Sequence, residues 1–166
     1  MGSQQAGIIL GAKSYGSIHD NYINGGTGEA LEFYGYGGTT SIYNNTIINA
    51  GYDGTSAGQD GIAVDDRPDP NNRYTGMRVY IINNTVVNPA RNAVHLYNSY
   101  GTMATGNKIY NNFLVKPNNK SIYDNPYTNI DGNTNVDTLN NVKTPVIANA
   151  YFVNANANNF RLLANS

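Results

Sequence analysis

The segment Ile81-Ile82-Asn83-Asn84-Thr85-Val86 has three relatives elsewhere in the chain, and this repetition decides the fold. The relatives are His19-Asp20-Asn21-Tyr22-Ile23, Tyr43-Asn44-Asn45-Thr46-Ile47 and Tyr110-Asn111-Asn112-Phe113-Leu114. The second Asn of each copy follows the previous one by 24, 39 and 28 residues. Repeats at such intervals are typical of a solenoid, in which each unit buries its apolar side against its neighbours.

A second pattern precedes each copy and consists of four residues with a period of two. Its members are Gly7-Ile8-Ile9-Leu10, Ala30-Leu31-Glu32-Phe33, Gly61-Ile62-Ala63-Val64 and Ala93-Val94-His95-Leu96, with a weaker fifth copy at Ser121-Ile122-Tyr123-Asp124. Short segments with this period are strands and not helices. The sequence therefore predicts an all-β solenoid, a parallel β-helix of about five coils.

The recurring Asn residues have a structural interpretation. Asn side chains in register on successive coils form a ladder of amide hydrogen bonds, as in other stacked β-structures. We therefore expect a structural ladder and not a catalytic role for Asn21, Asn45, Asn84 and Asn112.

The rest of the chain divides around this repeat. We interpret residues 1–5 as a vector-derived remnant or tail, and residues 6–166 as a single β-helix domain. Its last part, from about 145 to 166, is predicted to close the final coil, because an open sheet edge needs covering. Two Gly- and Pro-rich insertions, 49–59 and 66–76, are predicted to be loops that carry function, and the region 116–144 is predicted to be irregular.

Bulk properties exclude several classes of function. Charged residues make up only 13% of the chain and the net charge is −1, so the basic footprint of a nucleic-acid-binding protein is missing. No apolar run reaches 18 residues, so no membrane-spanning helix is expected. Cys is absent, which leaves the redox compartment undecided.

The repeat also resembles a known family. The Asn-Asn-Thr-Ile segments, the Gly-Ile-x-Val strands and the tail Phe152-Val153-Asn154 with Asn159-Phe160-Arg161-Leu162-Leu163 are similar to right-handed parallel β-helix proteins of the pectate-lyase superfamily. This resemblance implies a right-handed helix, a polysaccharide or oligosaccharide partner, and a location outside the cell, on its surface or in the periplasm. It also implies that the chain is the C-terminal part of a longer solenoid.

Alternation along the leading strands predicts an outward-facing patch. One outward column contains Ile9, Glu32, Ala63 and His95, and the next contains Gly11, Tyr34, Asp65 and Tyr97. The column Gly7, Ala30, Gly61 and Ala93 is predicted to form a shallow floor of small residues beside them. Phenol rings stack on sugar C–H surfaces, so the patch is a candidate carbohydrate site.

Acidic residues and arginines cluster around the third leading strand and suggest two chemistries. A lyase would use carboxylates, with Ca²⁺ as a candidate cofactor, to neutralise a uronate while a base removes a proton; an inverting hydrolase would use two carboxyls. The predicted catalytic residues are Asp65, His95, Glu32 and Arg67. The predicted substrate-binding residues are Tyr34, Tyr97, Asp66 and Arg73, and the predicted metal ligands are Asp60, Asp65 and Asp66.

Plainer interpretations remain open. Asp65-Asp66-Arg67-Pro68 also fits a capped turn, and His95 fits an ordinary solvent-facing strand residue. A polysaccharide lyase is the leading hypothesis and an inverting glycoside hydrolase the second. The alternatives are a non-catalytic carbohydrate-binding or adhesin-like solenoid, and a structural segment that stacks or self-associates through its open ends.

Overall fold

The computed structural model describes residues 6–11, 15–34, 38–51, 59–66, 76–97, 101, 103–115, 117, 126–132, 135–147, 152–154 and 159–162, with the backbone alone at 34 and 159–162. Seventeen strands make up the elements of this described part of the chain, so the protein is all-β as predicted. No helix in these ranges is long and apolar enough to cross a membrane.

Fifteen of the strands form three parallel sheets of five strands each. Sheet A has the order β1-β4-β7-β10-β13 and contains β1 (Ile8–Leu10), β4 (Leu31–Tyr34), β7 (Ile62–Asp65), β10 (Val94–Tyr97) and β13 (Thr128–Ile130). Sheet B has the order β2-β5-β8-β11-β14 and contains β2 (Gly16–His19), β5 (Gly38–Tyr43), β8 (Met77–Ile82), β11 (Asn107–Tyr110) and β14 (Val136–Leu139). Sheet C has the order β3-β6-β9-β12-β15 and contains β3 (Tyr22–Asn24), β6 (Thr46–Ile48), β9 (Thr85–Val87), β12 (Phe113–Val115) and β15 (Val142–Thr144).

The chain visits the three sheets in the same order five times, which gives a parallel, solenoid-like architecture. Each visit is a triplet of strands, and the quoted repeats fall on equivalent positions of the first four triplets. Ile18 pairs with Ile42 and Ile42 with Ile81, as the aligned repeats predict. The expectation of an irregular region at 116–144 is wrong for the described part of it from 126 onward, where β13, β14 and β15 form a complete fifth triplet. The weak copy at 121–124 lies outside the described residues.

The predicted amide ladder is present and has one more member than expected. Nδ2 of Asn21, Asn45, Asn84 and Asn112 each donates to Oδ1 of the next Asn along the ladder, at 2.9–3.0 Å. The final acceptor is Asn141, in the segment Leu139-Asn140-Asn141-Val142, which follows the same pattern as the other copies. Asn45, Asn84 and Asn112 are fully buried, so their amides satisfy one another in place of water.

The residue before each ladder Asn has a left-handed backbone. Asp20, Asn44, Asn83, Asn111 and Asn140 have φ angles between 53° and 57°. Asn and Asp tolerate this conformation better than other residues with a side chain. The Asn-Asn pair thus combines a sharp turn between sheets B and C with a buried hydrogen-bonding side chain.

Inward-facing aliphatic residues from all three sheets form the core, including Leu31, Ile62, Val94 and Leu96 as predicted. The column of small residues, however, is not an outward floor. Ala30 and Ala93 belong to the core cluster, and a Cβ on Gly61 would lie 2.5 Å from Cγ1 of Val86. Strand alternation does not extend to these positions because they precede the strands of sheet A, where the chain enters from sheet C.

The outer face of sheet C is partly covered by the end of the chain. Ile48, Val87 and Val115 form a second apolar cluster, against which Phe113, Ile147 and Phe152 pack. Phe152 begins β16 (Phe152–Asn154), which pairs antiparallel with β17 (Asn159–Leu162). The C-terminal segment therefore covers part of a sheet face.

Candidate functional site

The outward columns of sheet A have the register that alternation predicts. Ile9, Glu32, Ala63 and His95 are paired across β1, β4, β7 and β10, and Tyr34, Asp65 and Tyr97 form the next column. Their exposure differs from the expectation. His95 is 0% exposed and Asp65 only 9%, so the prediction that both face solvent is wrong.

Asp60 is the centre of a buried cluster on this side of the protein. It precedes β7 and receives hydrogen bonds at Oδ1 from the backbone N and side-chain Nδ2 of Asn92, both at 2.9 Å. Arg91 forms an ion pair with both of its oxygens, through Nε at 2.8 Å and through Nη2. The Tyr97 hydroxyl donates to Oδ2 at 3.0 Å. A carboxylate with this many donors is held rigidly in its ionised form.

His95 connects this buried carboxylate to a second one nearer the surface. Its Nδ1 lies 3.1 Å from Oδ2 of Asp60, and its Nε2 lies 3.1 Å from Oδ2 of Asp131. The Asp131 side chain is 19% exposed. The Tyr97 ring packs on the imidazole with ring centroids 3.4 Å apart, and the Asn129 amide lies 3.0 Å from Nε2. We call Asp60, His95 and Asp131 the Asp–His–Asp relay, because imidazole between carboxylates can pass a proton from one side to the other.

Asp60 of the relay and the neighbouring Glu29 have pKa shifts in opposite directions. Burial raises the pKa of Asp60, but the hydrogen bonds from His95 and Arg91, together with the Arg91 charge, outweigh it and leave this pKa below its ordinary value. Burial of Glu29 raises its pKa to about 7, and the neighbouring charges of Glu32 and Asp60 act in the same direction. Groups whose environments separate their pKa values are typical of acid–base sites.

Several predicted site residues are placed differently from the expectation. Asp66 is fully buried, with its backbone N donating to the carbonyl of Tyr97. Asp60, Asp65 and Asp66 do not form the predicted metal site: within the described ranges, no group of three His, Cys, Asp or Glu side chains is arranged to hold a cation. Glu32 is half-buried and opposite Ala63. Arg67 and Arg73 lie outside the described residues, as does the side chain of Tyr34.

Sequence reasoning missed Arg91, Asn129 and Asp131 as members of the site. The alignment of Glu29, Asp60 and Asn92 at one repeat position could have indicated a polar column before sheet A. Asp131 follows β13, the strand that the sequence did not reveal, so no pattern marked it. Asp60, Asn129 and Asp131 are 34 to 36 residues away from His95 in the chain, and only the stacking of triplets brings them together.

No family model, curated protein or solved structure matches this chain. The assignment of function therefore depends on the geometry of the site.

Proposed function

We propose that this chain is a right-handed parallel β-helix, with one coil per strand triplet, that cleaves a polysaccharide on the outer face of sheet A. Connections between parallel strands are right-handed in about 98% of cases, which supports the handedness. The repeat and tail resemble the pectate-lyase superfamily, which supports a polysaccharide substrate and a location outside the cell, on its surface or in the periplasm. The Asp–His–Asp relay is the observation that carries the proposal of catalysis.

The roles of the three relay residues follow from their exposure. Asp60 is fully buried and fixes the orientation of the imidazole through Nδ1. Asp131 is the member that solvent and substrate reach, so we assign to it the proton transfer at the glycosidic linkage. His95 lies between them and is a positioning residue, which exchanges a proton with Asp131 while hidden from solvent.

A second carboxylate in the same outward column favours hydrolysis. Asp131 follows Ile130, which pairs with Leu96, so Asp131 comes opposite Tyr97, and Tyr97 in turn pairs with Asp65. Two steps of about 4.8 Å between strands place the backbones of Asp65 and Asp131 about 10 Å apart. Inverting glycosidases separate their two carboxyls by roughly 6.5–9.5 Å. We therefore assign the role of general acid to Asp131, which transfers the proton at the glycosidic linkage, and the role of general base to Asp65.

Elimination is the second candidate, because it requires one base and a neutralised uronate. Asp131 with His95 supplies the base, but Arg91, which contacts the relay, is already paired with Asp60, so the described residues support this reaction less well than hydrolysis. In this reaction Asp131 takes the proton from the carbon next to the uronate carboxyl, and a double bond forms between that carbon and its neighbour. The bond from the neighbour to the glycosidic oxygen breaks, and this oxygen leaves as a hydroxyl after taking up a proton from solvent.

Product analysis on a panel of polysaccharides tests both reactions. New reducing ends without ultraviolet absorbance indicate hydrolysis, and new ends with the absorbance of an unsaturated sugar indicate elimination. Asp131→Asn is expected to lower the rate by about 10²–10⁴-fold. Asp20→Asn is the matched control, since it is the same substitution at an exposed position where the other four repeats carry Asn. Binding without any product would instead favour a non-catalytic binding protein.

A further inference from the structure

Asn129 contacts both of the groups between which the relay exchanges a proton. It lies on β13 directly opposite His95 on β10, so it continues the outward column of sheet A. Asn129 is buried, and its Nδ2 lies 3.0 Å from Nε2 of His95 and 3.5 Å from Oδ1 of Asp131. One amide nitrogen therefore faces the imidazole and the outer carboxyl group at the same time.

These two neighbours fix the orientation of the Asn129 amide. An amide nitrogen carries two hydrogens and only donates, whereas an amide oxygen only accepts. With the nitrogen on this side, one hydrogen is directed to Nε2 of His95 and the other to Oδ1 of Asp131. With the oxygen on this side, it would face the carboxyl oxygen of Asp131 across the same 3.5 Å. The arrangement thus requires a donor next to Nε2.

The other ring nitrogen of His95 fixes the tautomer. Nδ1 lies 3.1 Å from Oδ2 of Asp60, and the ionised carboxylate of Asp60 only accepts, so Nδ1 carries a hydrogen. The Asn92 amide lies 3.3 Å from Nδ1 and does not alter this, because its Nδ2 donates to Oδ1 of Asp60 at 2.9 Å. The imidazole is therefore protonated on the side of Asp60 in both of its charge states.

Two states of Nε2 compete, and Asn129 distinguishes between them. In an imidazolium, the N–H at Nε2 would face the N–H of Asn129 across 3.0 Å, which places two donors against each other. In a neutral ring, Nε2 has a lone pair and accepts from Asn129. Oδ2 of Asp131 lies 3.1 Å from this neutral Nε2 and forms a hydrogen bond only when it carries a proton itself. The donors and acceptors therefore favour a neutral ring beside a protonated Asp131.

We propose that Asn129 is a positioning residue that keeps the proton of the relay on Asp131 and off His95. Its use in catalysis rests on the proposed function, but the location of the proton does not. A carboxyl group that holds its proton begins the reaction as a general acid, which favours hydrolysis over elimination.

The proton of Asp131 then has a defined course in hydrolysis. Asp131 gives it to the glycosidic oxygen while the bond from this oxygen to the anomeric carbon breaks. Water adds to that carbon, and Asp65 takes a proton from the water. Exchange with solvent afterwards restores the proton on Asp131 and removes the one on Asp65.

Proton–nitrogen correlation NMR of protein with isotope-labelled histidine tests the location of the proton at neutral pH. The chain has two histidines, so His19→Gln leaves the signals of His95 alone. In this background we expect a protonated Nδ1 and a bare Nε2. Adding Asn129→Asp places an acceptor beside Nε2 and is expected to protonate both nitrogens. Asn24→Asp is the matched control: it adds the same charge at an exposed position on sheet C and should leave His95 unchanged.

The spectrum with Asn129 intact decides the proposal even if the variant does not fold. An imidazolium in that spectrum would overturn it, as would a bare Nε2 in an Asn129→Asp variant whose fold is verified by thermal melting. On the polysaccharide that the wild type cleaves, Asn129→Asp is expected to lower kcat about 10–100-fold and to keep the dissociation constant within about threefold.

The products separate this proposal from the proposed function. Unsaturated products from the wild type would overturn the role of Asn129, because Asp131 would then act as a base, while cleavage by the relay would stand. A bare Nε2 without cleavage of any polysaccharide would refute the proposed function and still support the location of the proton.

Discussion

Replacing Asn84 with Leu removes the middle of the amide ladder and gives a loss of stability that can be estimated from the contacts. Asn84 is 1% exposed, and its Oδ1 accepts from the backbone N of Asn45 at 3.1 Å and from the Asn45 side chain at 3.0 Å. Its Nδ2 donates to Asn112 at 3.0 Å and to the carbonyl of Ile42 at 2.9 Å. The variant therefore breaks contacts on both neighbouring triplets.

The magnitude follows from which groups lose their partners. The backbone N–H of Asn45 is left buried without its acceptor, which costs about 1–3 kcal/mol. Two amide–amide bonds are lost as well, at about 1 kcal/mol each. The expected decrease in the free energy of unfolding is about 3–5 kcal/mol, measured by urea denaturation. For a chain of this size it corresponds to a fall of roughly 6–20 °C in the melting temperature.

Asn21→Leu is the matched control, since Asn21 is the first ladder residue and is only half-buried. Its backbone N still donates to Oδ1 of Asn45 after the substitution, so that acceptor keeps a partner. We expect a decrease of about 1 kcal/mol. Equal effects of the two substitutions, or a change below about 1 kcal/mol for Asn84→Leu, would show that the ladder does not stabilise the fold.

Three further substitutions test the core, the relay and the raised pKa of Glu29. Gly61→Ala is expected to destabilise the protein by about 1–3 kcal/mol because its Cβ would overlap Val86, whereas Gly11→Ala, with no atom within 4 Å, should melt like the wild type. His95→Ala is expected to cost about 2–4 kcal/mol in urea denaturation, since it removes a buried, fully engaged ring; a neutral result would contradict its burial. Glu29 has a raised pKa, so its contribution to the stability of the fold is complete below pH 4.5 and is lost as the pH rises through about 7. This loss of stability is at most about 3 kcal/mol, and less where solvent screens the group. Glu29→Gln should remove this part of the pH dependence of stability. An unchanged profile in this variant would refute the raised pKa of Glu29.

Much of the fold could be predicted because repetition makes local patterns reinforce one another. The Asn-Asn pairs and the alternating Ile and Val residues fixed the strands of the first four triplets and their pairing. A fifth unit was expected, but its leading strand at Thr128–Ile130 was not identified because this segment lacks the apolar alternation of the earlier strands. Asn140-Asn141 continued the repeat, but its surroundings are polar and its strands more exposed.

The sequence predicted which residues of the candidate site share a column of the sheet, but it did not predict which of them are buried. Register placed His95 next to Ala63 and Tyr97 next to Asp65 correctly. Alternation assigns a side chain to a face of the sheet, but it does not show what lies over that face. Asp60, Asn129 and Asp131 contact His95 from segments far apart in the chain, so its burial depends on tertiary contacts that no local pattern contains.

The most direct test of the proposed activity compares substrate binding and turnover in Asp131→Asn on the polysaccharide that the wild type cleaves. If Asp131 transfers the proton, the dissociation constant should stay within about threefold of the wild-type value while kcat falls at least about 100-fold. A variant that turns over at nearly the wild-type rate would remove Asp131 from the reaction, and with it the catalytic role of the relay.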